Sequence, residues 1–316
     1  MGESSTNPRL KETLASLAQS LVSGSDLASA FRQHPDLFSS IYVSMVHIGE
    51  STGNLDDALI RLVAHLEMER ETKKRIKSAL RYPTMVVVAI SVAMIVITMF
   101  VIPSFSSVFN KLGADLPFAT KILMVTSGFM QHYWHVLLTF LIVFWFFFRR
   151  YIRSHDGELW WDEKKLKFPL IGSILERIAL ARFSRSFAMM LKAGVPILKC
   201  MTIVSESVGN RHIGRAVNTM ATGVERGDRL TSTAAATGLF TPLVLQMMSV
   251  GEETGSVDTL LDEVADFYEQ EIDYELKQLA DAIEPILLVF LGSLVLVLAL
   301  GVFLPIWELS GAVSGK

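Results

Sequence analysis

Two long stretches without a charged residue constrain this chain more than any other feature. They run from Thr84 to Ile102 and from Ile286 to Leu304, nineteen residues each, and prolines flank both (Pro83, Pro103, Pro285 and Pro305). A helix of this length extends for about 28 Å, close to the thickness of the hydrocarbon core of a bilayer. A fully buried helix of a soluble protein is the alternative, but such a helix usually keeps a polar face, and neither stretch has one. We therefore predict transmembrane helices over residues 83–103 and 285–305.

A third apolar stretch, Val136–Phe148, is too short to identify a membrane helix by itself, because it has only thirteen residues. Aromatic residues (Tyr133 and Trp134) precede it and arginines (Arg149 and Arg150) follow it. Such residues are typical of the two ends of a membrane span, which extends the candidate to residues 133–152. A re-entrant or interfacial helix remains the alternative at this point.

The chain also repeats itself at a constant offset of 202 residues. The segment Ile48–Leu59 (IGESTGNLDDAL) corresponds to Val250–Leu261 (VGEETGSVDTLL), and the match continues without a gap for about fifty residues, down to the flanking prolines. Self-similarity of this kind is the signature of a duplicated structural unit. We interpret the chain as two copies of a polar helical unit, each followed by a membrane span.

The repeat also bears on the third stretch. Two similar polar units that lie on the same side of a membrane must be separated by an even number of crossings, which makes residues 133–152 the second transmembrane helix. Lysines and arginines gather just before the first span and just after the second, which predicts that both polar units are cytoplasmic. The predicted order is a first bundle (1–82), a span (83–103), an outer loop (104–132), a span (133–152), a second bundle (153–284), a span (285–305) and an outer tail (306–316).

Composition excludes several classes of protein. With 51% hydrophobic residues the chain has too much apolar surface to remain disordered. Its 29 basic and 32 acidic residues nearly balance, which disfavours a nucleic-acid binder that acts through bulk charge. The single cysteine, Cys200, excludes an intrachain disulfide framework and a cysteine-based zinc site, and we predict no cofactor.

No segment of the polar units alternates as a strand does, so the predicted fold class is all-α: a polytopic membrane protein with three transmembrane helices and two repeated cytoplasmic helical bundles. Each unit contains a Gly-Glu-x-Thr-Gly segment that we interpret as a tight turn before a long helix. Its residues are Gly49, Glu50, Thr52 and Gly53 in the first copy and Gly251, Glu252, Thr254 and Gly255 in the second. The two glutamates either support the turn locally or point outward as partner or metal contacts.

Three further positions stand out as structural or coupling candidates. Gly194 ends a predicted helix at Arg182–Lys192, and Pro196 fits the first turn of the next. Pro83 and Pro285 are expected to start or kink a membrane helix, because proline has no backbone donor. Glu284 precedes Pro285 at the predicted membrane boundary, where it either couples the bundle to the span or is hydrated among headgroups.

Signatures of catalysis are absent from the sequence. There is no phosphate-binding loop, no His-Glu-x-x-His motif and no Gly-x-Ser-x-Gly elbow. His132 and His135 lie three residues apart, as metal ligands on a helix can, but they flank Tyr133 and Trp134 and fit interfacial residues better. We predict that the protein is not an enzyme and has no metal site.

Several motifs together resemble one family. They are the GESTG and GEETG segments, the Ile283-Glu284-Pro285 tripeptide, Ala193–Pro196 (AGVP) and Ala299–Trp307 (ALGVFLPIW). The chain resembles the type II secretion system F family (GspF/PilC-like), and Phe240–Gly255 and Asp266–Leu288 look most like its branch from mannose-sensitive haemagglutinin (MSHA) pili. The resemblance implies a homo-oligomeric platform protein of the bacterial inner membrane, with its N-terminus cytoplasmic and its C-terminus periplasmic.

The same resemblance implies partners: a cytoplasmic assembly ATPase and a retraction ATPase, pilin or pseudopilin subunits, inner-membrane alignment proteins and the lipid bilayer, but no nucleic acid. One departure is that the first copy lacks a counterpart to Arg182–Ser207, so its bundle is either shortened or completed by a partner. An incomplete bundle is expected to expose apolar faces of helices such as Leu10–Leu21. Two other functions stay open: a transporter or channel subunit, and a membrane enzyme with a site built from Glu50, Glu252 and nearby histidines.

Overall fold

The structure is a computed structural model of the full chain, and it describes the backbone of residues 8–97, 99, 118–152, 154–169 and 171–314. The described residues are helical and contain no strand, as the all-α prediction requires. They fall into two compact units, one of residues 1–75 with 155–275 and the other of residues 76–154 with 276–316.

Thirteen helices are assigned within the described residues. Those of the first half are α1 (Pro8–Val22), α2 (Leu27–Arg32), α3 (Ser40–Thr52), α4 (Leu55–Ala79), α5 (Arg81–Val96) and α6 (Phe118–Ile152). The second half contains α7 (His155–Leu166), α8 (Gly172–Lys192), α9 (Ile197–Ser207), α10 (Arg211–Glu225), α11 (Leu230–Thr237), α12 (Pro242–Thr254) and α13 (Val257–Ser314).

Each half of the first unit has a core of its own. In the N-terminal half, Ala28, Val43 and Val46 are buried beneath a trio of aromatic rings from Phe31, Phe38 and Tyr42, whose centroids are 4.5 to 5.0 Å apart. The larger core of the C-terminal half is built from buried side chains of several helices, among them Phe183, Phe187, Val204, Ile213, Met220, Met248 and Leu261. Aromatic contacts within this core join α8 to the residues just before α12, since the rings of Phe183 and Phe240 lie 5.8 Å apart.

Several helix ends lie at asparagine, glycine or proline, although one helix begins well before its predicted start. Asn210 caps α10, since its side chain accepts a hydrogen bond from the Ile213 amide at 3.0 Å. Gly194 has φ +83° directly after α8. That helix begins at Gly172, ten residues before the predicted Arg182, and Pro196 is the N-cap of α9 rather than part of its first turn.

The second unit contains the apolar stretches. Within the described residues, one helical segment, Leu55–Val96, is long and apolar enough to cross a membrane, and only 6% of its apolar window is buried. Helix α6 begins at Phe118 and so includes part of the predicted outer loop, whose residues 104–117 lie outside the described part of the chain. The side chains of the predicted tail, 306–316, also lie outside it.

Candidate functional site

The first Gly-Glu-x-Thr-Gly segment is the last turn of α3, and its glutamate reaches another helix. Glu50 Oε1 accepts a hydrogen bond from the Leu27 amide at 2.8 Å, and Oε2 accepts one from the Ala28 amide at 3.2 Å. These amides open α2, where helix geometry leaves backbone donors without a partner. The carboxylate therefore closes the start of α2 from 23 residues away.

The second segment makes an equivalent contact. Glu252, in the last turn of α12, accepts hydrogen bonds from the Leu230 and Thr231 amides at 2.8 and 3.2 Å. The Thr231 hydroxyl adds a third hydrogen bond at 2.8 Å, and Arg229 lies 3.5 Å from the same carboxylate. We call each of these two contacts, Glu50 with Leu27 and Ala28 and Glu252 with Leu230 and Thr231, a carboxylate clasp.

The electrostatics of the second clasp follow from these bonds. Partial burial alone would raise the pKa of Glu252, but the hydrogen bonds from Thr231 and Leu230 and the charge of Arg229 outweigh it and lower the pKa. The carboxylate is thus held in its charged form, which suits the positive end of a helix dipole. Its acceptor oxygens are occupied inside the protein.

The glycines of the segments have two different roles, which corrects the prediction of a simple turn. Gly53 and Gly255 do end their helices in the left-handed conformation, with φ of +74° and +72°. Gly49 and Gly251, by contrast, lie inside helices, where a Cβ on Gly49 would be 2.8 Å from Ala58 Cβ and 2.9 Å from Leu55 Cα. These glycines are required because the next helix crosses directly over them.

The threonines of the segments belong to the same helix ends. The Thr52 hydroxyl donates to the Ile48 carbonyl and the Thr254 hydroxyl to the Val250 carbonyl, both at 2.8 Å. Within the described residues, no group of three histidine, cysteine or acidic side chains is placed to hold a metal ion. The two segments therefore serve to join helices within the protein.

The segment between α8 and α9 is another buried junction. Val195, between Gly194 and Pro196, is 3% exposed, and its carbonyl accepts a hydrogen bond from the Cys200 thiol at 3.3 Å. Burial raises the pKa of Cys200 to about 12. The thiol is therefore inert at neutral pH, because the thiolate is the reactive form.

The two prolines at the predicted membrane boundaries differ in their surroundings. Pro83 is the third residue of α5, where its missing donor costs nothing. Pro285 lies inside the continuous helix α13 and does not begin a helix. The side chain of Glu284 lies outside the described part of the structure, so its coupling role stays a prediction.

Sequence reasoning missed an ion-pair network along α8. Arg185 pairs with three carboxylates of α13: Asp262 at 2.6 Å, Glu269 at 3.0 Å, and Asp266. Burial opposes its charge, but these three partners raise the pKa of Arg185 further. The spacing Asp262, Asp266, Glu269 places all three on one face of a helix, a signal that could have predicted a cationic neighbour.

The same helix contacts the N-terminal half of the chain. Arg182 Nε lies 3.0 Å from Glu69 of α4, and its Nη1 donates to the Val208 carbonyl at 3.3 Å. Nearby His65, also on α4, is 8% exposed, and its Nδ1 has no hydrogen-bond partner. Burial lowers the pKa of His65, and although Glu69 opposes this, Arg182 and Arg185 reinforce it.

Comparison with known proteins assigns the chain to a family. The family model of type II secretion system protein F matches residues 1–103 and 183–305. The type IV pilus assembly protein PilC of Myxococcus xanthus is 35% identical over 98% of this chain and 74% of its own length. PilC of Thermus thermophilus is 35% identical over 98% of this chain and 76% of its own length. Type II secretion system protein F of Pseudomonas aeruginosa is 29% identical over 98% of this chain and 76% of its own length.

Proposed function

The chain belongs to the type II secretion system protein F family, and we propose that it is an inner-membrane platform protein of a type IV pilus or a type II secretion system. The observation that carries the proposal is the match to a type IV pilus assembly protein along 98% of the chain. In this role the protein performs no catalysis: it couples a cytoplasmic assembly ATPase to the polymerisation of pilin or pseudopilin subunits.

The proposed topology has three spans, at residues 83–103, 133–152 and 285–305. It rests on the charge-free stretches and on the lysines and arginines that bound the polar units. Reporter fusions at residue 115 and at the C-terminus are both expected to report a periplasmic location. A cytoplasmic signal from either fusion would contradict this topology.

The carboxylate clasps suit a protein that transmits motion. Each clasp joins the last turn of one helix to the first turn of another, because two main-chain amides donate hydrogen bonds to one glutamate carboxylate. The two joined helices are therefore expected to move together. The Glu50 and Glu252 carboxylates already accept hydrogen bonds from main-chain amides of the protein. We therefore expect the ATPase to contact exposed residues beside the clasps rather than the two carboxylates. Suitable exposed neighbours are Ser51 and Glu253.

Photocrosslinking tests this assignment. A photoreactive amino acid at position 51 or 253 is expected to label the assembly ATPase in cells that assemble the fibre, whereas the same group at exposed Asn218 serves as the control. Failure of both positions to label the ATPase in an active system would show that the partner surface lies elsewhere. Loss of the fibre and of secretion on deletion of the gene tests the platform role itself.

We further propose that the fibre is of the MSHA type. Support comes from the resemblance of Phe240–Gly255 and Asp266–Leu288 to that branch of the family. The expected result is that deletion abolishes a mannose-sensitive haemagglutinin pilus and leaves type II secretion intact. The opposite pattern would assign the protein to the secretion system.

A further inference from the structure

Helix α7 and the loop that follows it expose three large apolar side chains. Trp160 and Phe168 are 45% and 54% exposed, and Ile171 is 48% exposed. The Trp161 ring connects Trp160 and Phe168, with centroids 6.4 Å from Trp160 and 6.5 Å from Phe168. We call Trp160, Trp161 and Phe168 the aromatic patch.

Two acidic residues of α7 join the helix to the bundle. Asp162 is 6% exposed and accepts a hydrogen bond from the Arg211 amide at 2.5 Å, at the start of α10. Its backbone carbonyl accepts one from the Asn210 side chain at 3.1 Å, and Glu158, one turn earlier, pairs with Arg211 at 2.9 Å. These contacts hold α7 in one orientation, in which Trp160 is exposed.

A contiguous exposed apolar patch marks a surface that meets another apolar phase or molecule. Charged residues lie beside the patch: Lys164 is exposed one turn after Trp160, and Asp156 is exposed one turn before it. The Lys167 side chain is 65% exposed and pairs with Glu163 at 2.6 Å.

We propose that the aromatic patch rests in the headgroup region of the membrane surface and anchors the second bundle to the bilayer. Tryptophan and phenylalanine with neighbouring lysines form the composition that interfacial segments share, since the rings enter the acyl boundary and the ammonium groups meet lipid phosphates. Chain connectivity selects lipid over a protein partner: α7 begins three residues after α6 ends at Ile152, next to the apolar stretch Val136–Phe148.

The inference rests on the proposed span 133–152, and its test separates the two. Single cysteines at positions 168, 144 and 243 carry a nitroxide label, in a Cys200→Ala background and in nanodiscs of phosphatidylethanolamine and phosphatidylglycerol. Phe144, inside the proposed span, tests the topology. Leu243, which is 50% exposed on α12, is the matched control outside it. Collisions with oxygen, which enters lipid, are compared with collisions with a polar nickel chelate.

We expect the label at position 168 to collide several-fold more with oxygen relative to nickel than the label at 243. Equal ratios at 168 and 243, with position 144 in lipid, would overturn the anchor and leave the topology standing. Protection of position 168 from both reagents would indicate a protein contact and would also overturn it. A water-exposed label at position 144 would contradict the span and the anchor together.

A variant that introduces a negative charge into the patch gives a second test. Trp160→Glu should move the label at position 168 toward the aqueous ratio, because a charge in the patch disfavours the headgroup region. Leu243→Glu, measured with the same label at position 168, is expected to leave the ratio unchanged. An unchanged ratio in the Trp160→Glu variant would contradict the proposal.

Discussion

Helices α1 and α10 have aligned apolar positions but very different burial. Leu10 on α1 is 40% exposed, whereas Ile213, which aligns with it at an offset of 203, is completely buried. In the C-terminal half, α9 packs along α10, and within the described residues no helix covers α1 in the same way. The same apolar pattern thus ends up in a core or on a surface according to its neighbours.

Helices α4 and α13 repeat this contrast at the offset of 202. Val63 and Leu66 on α4 are 54% and 45% exposed, while Ala265 and Tyr268, which align with them, are 0% and 2% exposed. Ile60, at 67% exposure, aligns with Asp262, the partner of Arg185 on α8. The expectation of exposed apolar residues in the N-terminal bundle is met here and at Leu10 and Leu21, whereas Leu17 of α1 is buried.

The largest difference should appear when these aligned positions are truncated. Ile213→Ala is expected to lower the free energy of unfolding by about 2–5 kcal/mol, because it opens a cavity in a packed core. Leu10→Ala, at an exposed position, should cost less than about 1 kcal/mol. Thermal unfolding in detergent, followed by circular dichroism, measures both. Similar losses would mean that α1 is covered as α10 is.

The internal glycines should reverse this contrast, because here the larger loss of stability is expected in the N-terminal half. Gly49→Ala should destabilise the protein by about 1–3 kcal/mol, since the added carbon meets the backbone of α4 at 2.9 Å. Gly251→Ala should cost less, because the nearest atom, Leu260 Cβ, would be 3.1 Å away. The two melting temperatures decide between them, and a larger loss for Gly251→Ala would contradict the crossing geometry.

Removal of the two clasp glutamates should lower the stability by amounts that differ less. Glu252→Ala is expected to cost about 1–2 kcal/mol, and Glu50→Ala somewhat less, because only Glu252 adds a hydroxyl donor to its two amide bonds. Since folding lowers the pKa of Glu252, its charge contributes stability above the ordinary glutamate pKa, and this is lost as the pH falls through the lowered value. Melting temperatures at neutral and at acid pH measure both effects. Glu252→Gln should remove that part of the acid sensitivity.

The smallest effect concerns His65, whose aligned residue in the other half is Phe267. Folding lowers the pKa of His65, so the unfolded chain binds a proton first as the pH drops below about 6.5, the ordinary histidine value. Stability should therefore fall with decreasing pH between that value and the lowered pKa, by at most about 1.4 kcal/mol for each pH unit. His65→Phe is expected to flatten this part of the profile. A wild-type profile that is flat between pH 7.5 and 5.5 would contradict the prediction.

The sequence predicts those parts of the fold that depend on local chemistry. Gly53 and Gly255 end helices as expected, because a left-handed backbone acts within a few residues. The place of Gly49 inside a helix was missed, since it depends on a second helix that crosses it.

The long-range parts of the site required the structure for the same reason. Glu50 acts on residues 22 and 23 positions earlier, and no local pattern links them. The burial of Asp162, and with it the outward orientation of Trp160, depends on the position of α10. Hydrophobic pattern specifies which side of a helix is apolar, while the neighbouring helices decide whether that side is covered.

The short span of the clasps has a consequence for synthesis. Closing a loop of about two dozen residues carries a modest entropy cost, and contacts so near in sequence can form early. The Glu50 clasp joins residues 27 and 50, which are both synthesised before the apolar stretch that begins at Thr84. The parts of the clasp are therefore complete early in synthesis, before that apolar stretch has been added to the chain.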